Sequence, residues 1–336
     1  MKKVYPIIFS LLFWGLLIVP VLRPGVAVSS FAQTFFGHDK LIEIYNNLRL
    51  ALGDRVFPNV IVGNNGWMFY SGDRSIDEYQ NSNPYSETEL ADLQSRLDNL
   101  QGQFQQDGIT LWVVIAPDKS SIYPEYMPDQ ITEISGKSRL DQFVAYMHDH
   151  GKTPVIDLRS ALIEASKTEQ VYYKTNTHWN ALGVYIAYRI ILSSLIQTYP
   201  GLVAHPLSDF TEIHAGLITH DIPRIIGTPN IKEDYWELRP TFTPGTTENE
   251  IPLSDGTVVR ISRNQDQNLP VTLIFHDSFL VSVLPFLEPS FGYTVSIPRT
   301  SIPGIWNLDW VDQVQPSIVI YEFAERFLNY EILDFK

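Results

Sequence analysis

The stretch VTLIFHDSFL, residues 271–280, decides the fold class of this chain. Its first five residues form a mainly apolar run that predicts a buried strand, and a helix is predicted to begin at about Phe279. Buried strands that alternate with helices are typical of parallel sheets. Ligands bind at the carboxyl ends of the strands in such sheets, so His276, Asp277 and Ser278 lie where a functional site is expected.

The sequence on either side of this stretch alternates in the same way. Apolar runs predict further strands, and apolar residues at three- and four-residue spacing predict the helices between them. The predicted strands are LWVVIA (111–116), PVIDL (154–158), YTVSI (293–297) and PSIVIYE (316–322), and the predicted helices begin at a Ser86–Glu89 capping box, near Leu140 and near Ala181. The pattern predicts an α/β fold in which a parallel sheet is covered by helices on both faces.

Residues 1–28 and residues 29–336 are predicted to form separate parts of the chain. The first part contains a 19-residue apolar run, Val4 to Leu22, behind Lys2 and Lys3, and this run is long enough to cross a bilayer. A cleaved signal peptide usually has a shorter apolar core, about 7 to 15 residues, so an uncleaved anchor is favoured. Either alternative places the main domain on the extracytoplasmic side of the cell membrane, in the periplasm or outside the cell.

Within the main domain, the segment from about residue 208 to residue 268 differs from its surroundings. It is rich in proline, threonine, aspartate and asparagine, and its apolar runs are short. We interpret it as an insertion that flanks a cleft. The pattern assigns it no fold.

The charge of the chain excludes one class of partner. Residues 29–336 carry 21 basic and 38 acidic side chains, a net charge of −17, because Lys2, Lys3 and Arg23 are the only charged residues before them. A surface this acidic repels phosphate backbones, so nucleic-acid binding is not expected. The same repulsion favours a neutral or weakly charged ligand over a polyanion. The chain has no cysteine, which excludes disulfides and thiolate metal sites.

Ser278 is the candidate nucleophile. A serine at a sharp turn from a strand to a helix exposes its hydroxyl, and backbone N–H groups near such a turn can stabilise an oxyanion. The hydroxyl needs a base, and His178 in the stretch YYKTNTHWN (172–180) is the candidate. The alternative is structural, because an Asp-Ser pair after a strand is often a helix cap and a single histidine before a helix is often structural.

A metal site is the less favoured interpretation of the same residues. His178, His276 and Asp277 offer ligands suited to zinc or manganese if they converge. The sequence contains no short ligand spacing such as H-E-x-x-H, so neither a metal nor another cofactor is predicted. Lys119, which follows the strand LWVVIA, is placed to line the cleft, but a lysine after a strand is usually exposed, and this is the interpretation we favour.

Five separated motifs carry a resemblance to a known family. In order along the chain they are VGNNGWMFY, VVIAPDKSSIYPEYMP, YYKTNTHWN, FHDSF and PSIVIYEFAER. Together they resemble the alginate O-acetyltransferase family of the AlgX and AlgJ type. The resemblance extends from about residue 38 to the end of the chain, which is nearly all of the predicted exported region.

This resemblance implies a fold, a reaction and partners. The fold would be an SGNH-hydrolase-like (flavodoxin-like) domain with a permuted motif order, in which an Asp-x-His element precedes the serine element. Members of the family are exported or anchored in the membrane, and they O-acetylate extracellular polysaccharides with acetyl groups supplied by a membrane-bound O-acyltransferase. Carried over to this sequence, Ser278 matches the nucleophile and His178 the general base.

Asn176 departs from the family pattern, because the resemblance implies an aspartate at this position. An asparagine carbonyl can accept a hydrogen bond from the imidazole, but it carries no charge. Three interpretations stay open: a slow Ser-His dyad oriented by Asn176, another carboxylate in the missing role, or a site that binds glycans without turnover. Asp277 is a poor substitute, since the residue beside such a nucleophile normally points away from it.

The expected function is therefore O-acetylation of an exported cell-surface polysaccharide through an acyl-serine. The first alternative is a carbohydrate acetylesterase that uses the same residues and transfers the acetyl group to water. The second is a glycan-binding or scaffold component of a polysaccharide export complex.

Overall fold

The structure of this protein, a computed structural model, describes residues 37–132, 134, 136–299 and 308–329. The anchor predicted at residues 1–28 lies outside these ranges. Among the helices of the described ranges, none is both long enough and apolar enough to cross a membrane.

The described chain forms a seven-stranded mixed sheet, a three-stranded sheet and a two-stranded hairpin. The strands are β1 (Val56–Phe57), β2 (Val60–Val62), β3 (Met68–Tyr70), β4 (Thr110–Ala116), β5 (Val155–Asp157), β6 (Phe210–Ile218), β7 (Glu233–Pro240), β8 (Thr246–Pro252), β9 (Val258–Asn264), β10 (Val271–His276), β11 (Tyr293–Pro298) and β12 (Ile318–Ala324). The seven-stranded sheet has the order β5-β4-β12-β10-β11-β9-β8. Its first five strands are parallel, as the sequence predicts.

The prediction of a wholly parallel sheet is wrong at one edge. Strands β9 and β8 pair antiparallel with β11 and with each other. They belong to the segment 208–268, in which β7, β8 and β9 follow one another without an intervening helix. Antiparallel edge strands need only one buried face, and β8 is exposed along most of its length. The same segment forms the β6–β7 hairpin, which stands apart from the large sheet.

Helices cover both faces of the sheet. Their bounds are α1 (His38–Ala51), α2 (Ser75–Tyr79), α3 (Glu87–Gln106), α4 (Lys119–Ile122), α5 (Arg139–His150), α6 (Arg159–Ser166), α7 (Ala181–Ile196), α8 (Asp221–Ile225), α9 (Ser278–Val281), α10 (Leu284–Leu287) and α11 (Asp309–Val314). The capping box predicted for α3 is present, with the Ser86 side chain accepting from the Glu89 backbone and the Glu89 side chain from Ser86.

Alternation along β4 explains the two-faced arrangement. Leu111, Val113 and Ile115 point into a core that contains α3 and α5, whereas Trp112 and Val114 point into a core that contains α7. Because both faces of the strand are buried, its sequence reads as an unbroken apolar run. The prediction of helices on both faces is confirmed.

The carboxyl ends of the parallel strands place several polar residues at one edge of the sheet. Lys119 follows β4 and begins α4, Arg326 follows β12, and Ser278 follows β10 at the first position of α9. His276, predicted to lie just after the strand, is instead its last residue and pairs with Pro298 of β11. This edge is where a functional site was expected.

Candidate active site

Ser278 is exposed between two buried neighbours, Asp277 and Phe279. The Asp277 carboxylate caps α9, since one oxygen accepts from the N–H of Phe279 at 2.8 Å. Its other oxygen accepts from the N–H of Ala324 on β12 at 2.7 Å. Asp277 therefore links the nucleophile turn to the neighbouring strand, and it does not face His178 as a triad carboxylate would.

The loop before α7 is held in place by close packing. The backbones of Trp179 and Tyr172 pair in an isolated antiparallel β-bridge. The indole N–H of Trp179 donates to the Ser282 hydroxyl at 3.0 Å. Gly183 in the first turn of α7 lies against the Val171 carbonyl, which would be 2.2 Å from a Cβ atom at this position. Only glycine permits this close approach. The result is a fixed connection between the loop that carries His178 and the turn that carries Ser278.

The structure brings His178 and Ser278 together although 100 residues separate them. His178 Nε2 lies 2.9 Å from Ser278 Oγ. On the other side of the ring, His178 Nδ1 lies 2.9 Å from Asn176 Oδ1. The imidazole also packs on Phe279, with ring centroids 4.8 Å apart. All three residues predicted for the site thus form one connected set.

A backbone group fixes the imidazole tautomer. Asn176 Oδ1 accepts from the backbone N–H of His178 at 2.9 Å, and that N–H can only donate. The oxygen of the amide must therefore face His178, and Nδ1 must carry the proton to bond to it. The Nε2 lone pair is left facing the Ser278 hydroxyl. This is the tautomer that a general base for Ser278 requires.

His220 completes the anchoring of Asn176. The Asn176 amide nitrogen lies 2.9 Å from His220 Nδ1, and since the amide donates, Nδ1 accepts. The His220 ring is only 4% exposed and packs on Tyr173 with ring centroids 4.5 Å apart. Burial lowers the pKa of His220, which keeps the ring neutral and able to accept. The sequence analysis missed this residue.

Asp221 is the carboxylate nearest to the far side of the imidazole. One oxygen accepts from the N–H of Thr177 at 2.9 Å, and the other lies 3.8 Å from His178 Nδ1. The sequence analysis missed Asp221 too, because it lies in the segment 208–268, to which the pattern assigned no fold. The one available signal was an aspartate at the start of a short helix with Pro223 in its first turn.

Burial, more than the surrounding charges, keeps the His178 ring neutral at neutral pH. Burial lowers the pKa of His178, and the Asp221 carboxylate opposes this shift most strongly. Arg326 and Lys119 lower the pKa further, whereas Asp277 raises it. A neutral imidazole with its lone pair on Nε2 can take the proton of Ser278.

The interpretation of Lys119 as an exposed lysine is wrong. Its side chain is 4% exposed, and the ammonium donates to the carbonyls of Tyr173, Lys174 and Asn176 at 2.8 to 3.1 Å. Burial lowers the pKa of Lys119 to about 7, against the opposing charges of Asp221 and Glu233. The loop before α7 folds over the end of β4, and the ammonium is the donor for three of its carbonyls.

Removing this donor is expected to loosen the loop. Lys119→Met keeps the length of the side chain and leaves the three carbonyls without their ammonium, which should cost about 1–3 kcal/mol of folding free energy. Thermal denaturation should show a lower Tm than in the unchanged protein. Lys167→Met is the matched control, because Lys167 is exposed and pairs only with Glu164 on the surface. Equal Tm values for the two variants would show that Lys119 does not hold the loop.

The residues weighed for a metal site do not assemble one. His276 Nδ1 lies 2.7 Å from the carbonyl oxygen of its neighbour Asp277. Within the described ranges, no three histidine, aspartate or glutamate side chains are placed to hold a metal ion. The chemistry that this arrangement can perform with its own residues is nucleophilic catalysis by Ser278.

A serine at the carboxyl edge of a parallel sheet, hydrogen-bonded to a histidine from a distant loop, is typical of several classes of α/β hydrolase and acyltransferase. Residues 60–250, more than half of the chain, match the family model of the SGNH hydrolase-like domain of acetyltransferase AlgX. The chain belongs to this family. The matched region contains Asn176, His178 and Asp221, and Ser278 lies beyond it.

The chain is also similar to individual relatives and to solved structures. The protein called "Probable alginate O-acetylase AlgJ" from Pseudomonas syringae pv. tomato is 28% identical over 84% of this chain and 73% of its own length. PatB1 of Bacillus cereus, solved with a sulfonyl adduct, superposes with a TM-score of 0.60 at 14% identity, over 80% of this chain and 97% of that one. The O-acetyltransferase domain of Pseudomonas putida AlgJ gives a TM-score of 0.50 at 18% identity, over 81% and 92%. These structures share the fold.

Proposed function

We propose that this protein is an O-acetyltransferase that transfers acetyl groups to hydroxyls of an exported polysaccharide through an acyl-Ser278 intermediate. The observation that carries the proposal is the 2.9 Å distance between Ser278 Oγ and His178 Nε2. The backbone N–H of His178 orients the Asn176 amide and so fixes the tautomer of the imidazole. Membership of an acetyltransferase family supports the acyl group, and the name of the AlgJ relatives supports a polysaccharide acceptor.

The reaction proceeds in two half-reactions. Ser278 Oγ attacks the carbonyl carbon of the acetyl donor while His178 Nε2 takes the hydroxyl proton, and the proton then passes to the leaving group. In the second half-reaction, His178 takes a proton from a sugar hydroxyl, whose oxygen attacks the acyl-serine. The acetyl group moves to the sugar, and the proton returns to Ser278.

Asn176 is compatible with this chemistry. In serine proteases, replacing the triad aspartate by asparagine lowers turnover by about 10⁴-fold, largely because the imidazole then adopts the wrong tautomer. Asn176 presents its oxygen to Nδ1, so this cause of the loss does not apply here. Of the three interpretations of this position, we adopt the Ser-His dyad oriented by Asn176; another carboxylate in the missing role stays open for the charge alone.

The donor and the location are also part of the proposal. The full chain is proposed to be anchored by Val4 to Leu22, with its main domain outside the cytoplasmic membrane and with a membrane-bound O-acyltransferase as the source of acetyl groups. The 19-residue apolar run behind Lys2 and Lys3 supports the anchor. Co-purification of such an acyltransferase with the full chain from a membrane extract tests both statements, and a full chain recovered without membranes would contradict the anchor.

The acceptor is proposed to be a neutral or weakly charged glycan. Residues 29–336 carry a net charge of −17. A cavity of about 370 Å³ beside the His178 loop is lined by Tyr173 and Trp236 together with Glu212, Glu233 and Asp234. Carboxylates repel a polyuronate such as alginate, whereas a sugar with free hydroxyls and no charge meets no such repulsion.

Competing acceptors separate these alternatives. The protein is incubated with an activated acetyl ester and either neutral oligosaccharides or oligouronates, at low and at physiological salt. We expect acetyl groups on the neutral oligosaccharide at a rate at least about ten-fold above that on the oligouronate, which corresponds to about 1.4 kcal/mol in the barrier. Faster acetylation of the oligouronate at physiological salt would contradict the proposal of a neutral or weakly charged acceptor.

The same experiment separates the other functions. Free acetate without acetylated sugar would indicate the acetylesterase. Glycan binding that Ser278→Ala leaves unchanged, together with no acetyl turnover in the unchanged protein, would indicate the binding or scaffold component.

A further inference from the structure

Among the residues that the structure describes, no carboxylate is hydrogen-bonded to the pair of His178 and Ser278. Each half-reaction converts the imidazole to an imidazolium when Nε2 takes a proton. The neutral amide of Asn176 accepts the Nδ1–H bond, but it cannot balance the positive charge. A negative charge near Nδ1 would stabilise this charge in both half-reactions, so the carboxylates around His178 are the groups to compare.

Asp277 cannot supply this charge as a partner of Nδ1. Both of its oxygens are engaged by backbone N–H groups, those of Phe279 and Ala324. Glu322 does not supply the charge either, because burial raises its pKa well above the ordinary value. Its carboxyl group accepts from the N–H of Asp277 at 3.0 Å, so Asp277 and Glu322 hold the turn that carries Ser278 to the end of β12.

Asp221 is held with one oxygen toward His178. Its Oδ1 accepts from two backbone N–H groups, those of Thr177 at 2.9 Å and Ile222 at 2.8 Å. This fixes the carboxylate at the start of α8 and ties it to the loop that carries the imidazole. Its Oδ2 lies 3.8 Å from His178 Nδ1, within ion-pair range once the ring is protonated.

We propose that two residues divide the work of a triad aspartate in this protein: Asn176 sets the imidazole tautomer, and Asp221 supplies the negative charge. The proposal rests on the proposed acyl-serine function. It makes Asp221 a positioning and charge-balancing residue that acts through His178. The neighbouring His220 supports the division, because its neutral ring holds the Asn176 amide in the required orientation.

Several charged groups face His178 and shift its pKa, and the effect of Asp221 among them is measurable. Arg326 and Lys119 disfavour the imidazolium, and Asp221 and Asp277 favour it. Of these charged groups, Asp221 has the largest effect on the pKa of His178, and only burial has a larger one. Removing its charge should therefore lower the pKa of His178 and slow the steps in which the imidazolium forms. Since the carboxylate is partly exposed, we expect a ten- to hundred-fold fall in kcat.

Asp221→Asn removes the charge of the side chain and keeps its shape. The asparagine keeps an oxygen that can accept from Thr177 and Ile222, so the loop stays attached. The double variant Asn176→Asp/Asp221→Asn returns a carboxylate to the directly bonded position, where His220 can switch tautomer and donate to it. Asp209→Asn is the matched control, since the Asp209 carboxylate pairs with His205 and is not among the charged groups with the largest effects on the pKa of His178.

Two readouts test the proposal on the full chain in detergent. The first is the pKa of His178 from NMR titration, with its signal assigned by its loss in His178→Gln. The second is the pH dependence of kcat and KM for acetyl transfer from an activated ester. In Asp221→Asn we expect a lower His178 pKa, a ten- to hundred-fold lower kcat, KM within about two-fold, and a half-maximal activity that moves to lower pH. The double variant should recover most of kcat, and Asp209→Asn should match the unchanged protein.

An unchanged His178 pKa in Asp221→Asn would overturn the proposal, because the charge would then not act on the ring. A lower kcat with an unchanged pKa would also overturn it and would assign Asp221 a purely structural role. If the unchanged protein forms no acetyl-enzyme, the proposed function fails, and the NMR titration still decides whether Asp221 acts on His178.

Discussion

Ser278→Ala is expected to reduce acetyl transfer by at least about 10⁴-fold. Losing the nucleophile of a Ser-His site removes the covalent route, and in the best-studied serine hydrolases the loss reaches about 10⁶-fold. The fold should be unaffected, since the Ser278 side chain is exposed and the cap on α9 comes from Asp277. The measurement is the initial rate of transfer from an activated ester to an oligosaccharide, with Tm as the check on folding.

Ser193→Ala is the matched control for this change. Ser193 is exposed on α7, and alanine is well tolerated in a helix. We expect its rate and Tm to equal those of the unchanged protein. A Ser278→Ala protein that retained more than about a tenth of the activity would contradict the assignment of the nucleophile.

His178→Ala is expected to lower the rate by at least about 10³-fold, because the serine loses the base that takes its proton. The effects of Ser278 and His178 should not add, since the two residues act as a unit. The double variant should therefore be no slower than Ser278→Ala alone. A double variant that is slower by the product of the two single effects would show that His178 acts independently of the serine.

The pH profile of the unchanged protein should carry the signature of His178. Burial lowers its pKa below the ordinary value of 6.5, and the ring must be neutral to act as a base. The plateau of kcat/KM should therefore extend below pH 6.5, and activity should fall as the pH drops through the lowered pKa. This acid limb should be absent from the residual activity of His178→Ala.

The sequence predicted the parts of the fold that local patterns determine. The apolar run of β4 and the capping box of α3 each specify one element, and both were placed correctly. The pairing of β9 with β11 depends on contacts between distant parts of the chain, so the pattern could not give its antiparallel direction. Lys119 shows the same limit, since its burial is decided by a loop more than fifty residues away.

The sequence predicted some residues of the candidate site and missed others. Ser278 and His178 stand in motifs that a resemblance to a family identifies, and each follows or precedes a clear element. Asp221 and His220 carry no such signal, because β6 and α8 lie in a polar segment with weak periodicity. Their relation to His178 arises only when the loop before α7 packs on the start of α8. The residues around Ser278 and His178 are thus set by tertiary contacts.

Intact mass spectrometry of the full chain in detergent, after incubation with an activated acetyl ester, tests the acyl-serine intermediate most directly. We expect a single acetyl adduct that peptide mapping places on Ser278, that is absent from Ser278→Ala and that disappears when an acceptor oligosaccharide is added. Folded protein that forms no adduct, or an adduct that persists in Ser278→Ala, would contradict acetyl transfer through this serine.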